Sequence, residues 1–245
     1  MAHYQSIVAY DGTDFWGFQR QASNRRTVQQ ALETALAAIG WTGVSLRAAG
    51  RTDAGAHARG QVVSFAMDWR KGPEELTRAI NAQLPQDVAV RETAPAPDDF
   101  HPRFSARSRC YSYAVLAAPT PDPIRERFSW RIWPGPDLGA MQAAAEWLVG
   151  RHDFGAFGTP PIHGGHTVRT VLEAQWRCEG PAMVFQIEAD AFLYRMVRRL
   201  VAALVGIGRG GREIGHLHAA LEDPGQKWIS RLAPAKGLCL ERVTY

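Results

Sequence analysis

Along the first hundred residues the apolar positions change period in a regular order. Tyr4 to Tyr10 is an apolar stretch that reads as a strand. From Thr27 the period lengthens: Val28, Ala31, Leu32, Ala35, Leu36 and Ile39 share one helical face, and Gly40 ends the run. Thr27 and Gln30 have the spacing of a capping box at its start. Short strands are predicted near Val44–Ala49 and Gln61–Phe65. Pro73 stands in the first turn of a second helix carrying Leu76, Ile80 and Leu84, and a strand near Val88–Arg91 closes the unit. The order is β-α-β-β-α-β, the ferredoxin-like arrangement.

The second half repeats that order without repeating the sequence. Strands near Arg109–Leu116 and Phe128–Ile132 precede a helix over Leu138–Val149 that ends at Gly150. Strands Val168–Arg177 and Met183–Ala189 flank a turn at Gly180-Pro181. A long helix over Ala191–Ile207, a shorter one over Glu213–Leu221 and a last strand, Leu238–Thr244, complete the chain. The fold class expected is α+β: two ferredoxin-like halves forming a largely antiparallel sheet flanked by helices. The division falls in the Pro-rich stretch Pro95–Pro102, giving domains 1–100 and 101–245, although one continuous sheet could bridge both.

The long helix is amphipathic in a particular way. At about 100° per residue, Leu193, Met196, Val197, Leu200, Leu204 and Ile207 form one apolar face. Arg195, Arg198, Arg199 and Arg209 fall on the opposite side. A solvated surface face is the ordinary reading of such charges. The other is contact with a polyanion, because no Glu or Asp between Phe192 and Arg209 relieves the like-charge repulsion.

Composition narrows the class without choosing a function. At 245 residues, 46% hydrophobic and 21% charged, the chain is neither disordered nor collagenous nor a coiled coil, and is long enough for one large or two small domains. Its longest apolar run, Leu200–Gly208, is far short of the roughly 20 residues a membrane helix needs. No basic segment followed by an apolar one marks a secretory signal near Met1, so a cytoplasmic location is expected. Cys110, Cys178 and Cys239 are widely spaced and suggest neither a zinc ribbon nor a disulfide framework. Residues 1–105 carry 11 basic and 11 acidic side chains and residues 106–245 carry 17 and 13, so the whole +4 lies in the second half. Of the 28 basic residues only Lys71, Lys227 and Lys236 are lysines. That bias suits an RNA partner, through bidentate phosphate contacts and base stacking. A GC-rich coding sequence would produce it equally.

The candidate chemistry lies in residues 47–65, RAAGRTDAGAHARGQVVSF. Gly50, Gly55 and Gly60 punctuate a tight loop between two strands, with Asp53 inside it beside Arg51 and Thr52. Arg51 would keep the carboxylate ionised and oriented. A lone Asp before Ala-Gly is equally a turn-former. No paired carboxylate, HExxH or GxSxG accompanies it, which leaves metal hydrolysis and serine chemistry without support.

GRTDAGAHARGQV resembles the signature of the TruA family of tRNA pseudouridine synthases. YDGTDFWGFQRQ (Tyr10–Gln21) is similar to the family's N-terminal motif, TVQQALETAL (Thr27–Leu36) to its first helix, and FHPRFSARSRCYSY (Phe100–Tyr113) to the segment with its active-site tyrosine. RHDFGAF, TVRTV, FLYRMVRRLV and APAKGLCLERVTY follow in order, so the resemblance spans essentially the whole chain. Three places depart from it: Arg195 stands where the family often has His, Leu232 where a Thr is common, and GTPPIHGGHT after Phe157 is short and Gly-rich.

The resemblance implies isomerisation of uridine to pseudouridine at positions 38, 39 and 40 of the tRNA anticodon stem-loop, in a cleft between the two halves and without a cofactor or metal. The N1–C1′ bond breaks, the base turns, and C5 rejoins C1′. Asp53 matches the catalytic aspartate, the nucleophile if it attacks C1′; abstraction of a sugar proton is the alternative. Tyr111 matches the tyrosine that stacks on the target base, Arg169 the basic partner of the aspartate, and Leu238 an apolar wall of the base pocket. Arg51 would organise the site or bind the flipped nucleotide. Arg20, Arg25, Arg26, Arg195, Arg198 and Arg199 are candidate RNA contacts, and the family's homodimeric state implies a second copy as partner. A tRNA-binding chaperone without activity, or a synthase acting on another RNA, are the competing readings.

Overall fold

The computed structural model describes residues 1–22, 25–160, 164–223, 225, 228 and 232–245. Thus Pro161–His163 of the Gly-rich segment, and Lys227 among the lysines, lie outside the described residues. The chain divides into two compact units, Met1–Arg107 with Cys239–Tyr245, and Ser108–Leu238.

In the first unit the elements run β1 (Ala2–Tyr10), α1 (Val28–Ala38), β2 (Arg47–Ala48), β3 (His57–Met67), α2 (Pro73–Asn81) and β4 (Val88–Pro95). The sheet order is β4-β1-β3-β2, all antiparallel, as the ferredoxin-like arrangement requires. β1 alternates, burying Tyr4, Ser6, Val8 and Tyr10 on one face, where Ser6 and Thr93 share a 2.9 Å hydroxyl contact. α1 forms as its pattern predicts. The Thr27 hydroxyl accepts the Gln30 N–H, and Val28, Leu32, Ala35 and Leu36 go into the core. β2 shrinks from the six residues expected to two, and α2 stops at Asn81, short of Leu84. The chain's final strand, β10 (Leu238–Thr244), pairs parallel with β3 at Cys239↔His57 and Leu240↔Ala58, beside the strand end that follows the Asp53 loop.

The second unit contains β5 (Ser108–Ala117), β6 (Trp130–Ile132), α3 (Leu138–Glu146), β7 (Gly150–Asp153), β8 (Val168–Glu179), β9 (Ala182–Ala189), α4 (Met196–Gly208) and α5 (Ile214–Glu222). Its strands follow the order β5-β9-β8-β7, all antiparallel, with β6 parallel to β5. α3 packs against α4 and β8, and α4 buries Met196, Val197, Leu200, Val201, Leu204, Val205 and Ile207. Among the described residues, no helix is long and apolar enough to cross a membrane.

α4 begins five residues later than its apolar period suggests. Asp190 accepts the Thr170 N–H and Tyr194 N–H donates to Thr159 O, so residues 190–195 are held as a loop by tertiary bonds. Arg195 ends that loop in the left-handed region, at φ 63°, instead of standing on the helix. β7 was not expected at all: GRHD is too short and too polar to show a strand period, and it exists by pairing with β8.

Candidate active site

The Asp53 loop is clamped on both sides of its carboxylate. Before it, Ala49 N–H donates to Val62 O and Gln61 Nε2 donates to Gly50 O at 3.0 Å, from a side chain with no exposed surface. Thr52 is buried; its carbonyl accepts the Phe18 N–H and its hydroxyl meets the Tyr10 hydroxyl at 2.8 Å. After it, Ala56 N–H donates to Asp53 O and Gly55 N–H to Phe15 O, with Gly55 at φ +79°. Arg51 stays exposed and Asp53 half-buried between these anchors.

The N-terminal motif YDGTDFWGFQ is therefore the cradle of this loop. A Cβ on Gly12 would run into the Ala56 carbonyl. One on Gly17, at φ +90°, would sit 2.9 Å from Thr52 O and 3.4 Å from Asp53 C. Only glycine allows that approach. His57, buried at the head of β3, closes the far side: Gly12 N–H donates to its Nδ1 at 3.0 Å, and Asp11 Oδ1 lies 3.1 Å from the same nitrogen. One nitrogen cannot both accept from Gly12 and donate to Asp11, so the ring's protonation selects between them. A half-buried carboxylate on a rigid backbone, next to an exposed arginine, suits action on one bond of a bound substrate.

In the second unit Tyr111 lies on β5 opposite Ile187, 9% exposed and edge-on to Phe192 at 5.0 Å. Arg169 is the second residue of β8, 7% exposed, with Nη1 donating to Val168 O at 2.6 Å and His166 O at 3.0 Å. Its buried Nε finds no partner among the described residues. Burial pulls the guanidinium below the ordinary arginine range, while the charges of Asp190 and Asp153 pull it back up. Tyr111 and Arg169 stand near the same end of the β5-β9-β8 sheet. Leu238 is buried at the start of β10. The segment before it is pinned by Tyr113, whose hydroxyl donates to Pro234 O at 2.7 Å, and by Arg198, whose Nε donates to Ala233 O at 2.7 Å. Burial holds the Tyr113 phenol well above its usual range.

The candidate RNA-contact arginines fall into two groups. Arg20 is 2.8 Å from Glu33, and Arg26 grips Asp87 with both Nη atoms at 2.6 and 2.7 Å while lying over the Phe15 ring. Arg198 serves the Ala233 carbonyl. These three brace the fold. Arg25 lies over Trp16 and Arg195 over Tyr194, both exposed, and neither has a carboxylate within ion-pair distance among the described residues. Arg199 is half-buried on α4, likewise without such a partner. Tyr10, Gly17, His57 and Gln61 lie within the family-like motifs, but their contacts with the loop are not named by the sequence. The signals are a strand aromatic, a glycine between two aromatics and two polar residues in a strand, none of which names a contact partner.

The sequence family described as tRNA pseudouridine synthase matches residues 7–105 and 144–245. The tRNA pseudouridine synthase A of Syntrophotalea carbinolica is 40% identical over 245 residues, covering 100% of this chain and 97% of the relative. That of Halalkalibacterium halodurans is 42% identical over 234 residues, covering 94% and 88%. A solved structure, "Crystal Structure of a Cbf5-Nop10-Gar1 Complex", aligns at a TM-score of 0.38 and 13% identity over 97% of this chain and 48% of that one, a likeness too loose to bear on the argument.

Proposed function

This chain belongs to the tRNA pseudouridine synthase family, and we propose that within it the protein isomerises uridine 38, 39 or 40 of the tRNA anticodon stem-loop, with Asp53 as nucleophile. The observation that carries the reading is the immobilised Asp53 loop: every backbone segment flanking the carboxylate is bonded to β1, β3 or the Gly12–Phe18 motif.

A stacked uridine must first leave the helix, at a cost of a few kcal/mol. Arg51, exposed at the loop, is placed to hold the flipped nucleotide, and Arg25, Arg195 and Arg199 supply phosphate contacts that offset the cost. Arg20, Arg26 and Arg198 support those contacts by fixing the backbone around them. Asp53 attacks C1′ as the N1–C1′ bond breaks. The uracil turns, C5 bonds to C1′ as the Asp53–C1′ ester bond formed by the attack breaks and frees the carboxylate, the C5 proton leaves and N1 ends protonated, so no atom is gained or lost. Tyr111 stacks on the base and is the group offered for the C5 proton. Arg169 is assigned as the basic partner of the aspartate on the match of TVRTV alone. Leu238 walls the base pocket. The protein acts as a cytoplasmic homodimer without a cofactor.

The reading is tested by incubating the protein with unmodified tRNA and mapping pseudouridine by carbodiimide adduct and primer extension. Product confined to positions 38–40 is expected. Product elsewhere overturns the site assignment, and tight binding with no product returns the chain to the chaperone reading.

A further inference from the structure

Trp16 combines an exposed ring with a fixed backbone. The ring is 51% exposed, while the N–H donates to Arg26 O at 2.9 Å and the carbonyl accepts Gln21 Nε2 at 2.9 Å. An exposed indole offers a flat apolar face with a polar N–H at its edge, which suits it to recognition. The Arg25 guanidinium lies over the indole, 3.8 Å from its centroid. Arg25 is also the one basic residue of this loop among the described residues whose charge is not matched by a carboxylate, since Arg20 takes Glu33 and Arg26 takes Asp87. The next residue, Gly17, is one where an added Cβ would meet Thr52 O at 2.9 Å, and Phe18 N–H binds Thr52 O. Trp16 is thus tied through the adjoining backbone to the loop bearing the candidate carboxylate, and Arg25 lies on its ring.

We propose that Trp16 and Arg25 form a stacking platform for a nucleobase of the RNA substrate adjacent to the target uridine, with the Arg25 charge on the neighbouring phosphate. A flat aromatic face beside a cation is the pairing that binds single-stranded nucleotides without reading their identity. Such sequence tolerance suits a site that must admit different uridines of one loop. The proposal rests on the assignment of RNA as substrate and goes beyond it by naming the surface that holds the nucleotide next to the target.

The test compares wild type, Trp16→Ala, Trp16→Phe and Arg25→Ala in binding an unmodified anticodon-arm RNA, with melting curves to verify folding. Trp16→Ala is expected to weaken affinity about 5- to 100-fold, and Trp16→Phe to stay within about threefold of wild type because a phenyl face still stacks. Arg25→Ala should lower the slope of log affinity against log salt by about one. In an arm with abasic nucleotides flanking the target, the Trp16→Ala loss should nearly vanish. Equal affinity of Trp16→Ala and wild type overturns the platform, as does an undiminished loss on the abasic arm or Trp16→Phe binding as weakly as Trp16→Ala. A wild type that binds the arm yet forms no pseudouridine overturns the catalytic reading instead, and the affinity comparison still decides the platform.

Discussion

Gly17→Ala and Gly40→Ala together separate the support of the Asp53 loop from ordinary backbone strain. Both glycines have strongly positive φ, +90° and +97°. An alanine at either position costs about 1–2 kcal/mol of left-handed strain. For a chain of this size that lowers the melting midpoint by about 2–8 °C. The two sites differ in what the new methyl meets. At Gly40 nothing lies within 4 Å. At Gly17 the Cβ would stand 2.9 Å from Thr52 O and 3.3 Å from Ala54 N, both backbone atoms flanking Asp53. The loop must retreat by a few tenths of an ångström, stretching the bond from Phe18 N–H to Thr52 O. Since about 1 Å of misplacement can cost a hundredfold in rate, a shift of this size should lower the single-turnover rate about 3- to 30-fold. The assay is pseudouridine formation at saturating tRNA, with melting midpoints recorded beside it. Gly40→Ala should lose stability alone. Equal single-turnover rates for the two variants would refute the claim that Gly17 positions the carboxylate.

Two further outcomes are expected. Thr52→Val removes the 2.8 Å hydroxyl partner of buried Tyr10 and should cost about 1–3 kcal/mol by denaturant unfolding; Tyr10→Phe in the same chain should recover part of it, and additive losses would show that the two hydroxyls are not coupled. Burial, reinforced by Glu241, pushes the Cys239 thiol from 9.0 up to about 12, so exposed Cys178 should alkylate at pH 8 while Cys239 stays protected. The folded state then keeps a proton that the unfolded chain releases above about pH 9, so stability should fall as pH rises from there, and Cys239→Ala should flatten that fall. An unchanged slope would mean that Cys239 is not held neutral by the fold.

Local signals in the sequence carried the parts of this molecule that local chemistry decides. Thr27 caps α1 and the apolar stripe behind it is buried because a helix start and a 3.6-residue period are properties of neighbouring residues. The Asp53 loop was visible for the same reason, in its glycine spacing and its place between strands. What escaped was set by distant partners. The apolar run through Leu193 extends the helical period of α4, yet bonds to Thr159 and Thr170 stop the helix at Met196. As a result Arg195 leaves the ridge on which a helical wheel places it. Arg26 reads as a loose loop charge until Asp87, far along the chain, is seen to grip it. The return of β10 to β3, and the contacts of Tyr10 and Gln61 with the Asp53 loop, likewise depend on strand register, which no local pattern encodes.

The central claim is that the carboxylate of Asp53 does the chemistry while the rest of the loop holds it in place. Asp53→Asn keeps the side chain's size and removes its charge, so it bears on that claim most directly. With unmodified tRNA in single turnover, the variant should still bind but form no detectable pseudouridine at positions 38–40, while its melting curve stays close to that of the wild type. Pseudouridine formed by Asp53→Asn at the wild-type rate would contradict the account.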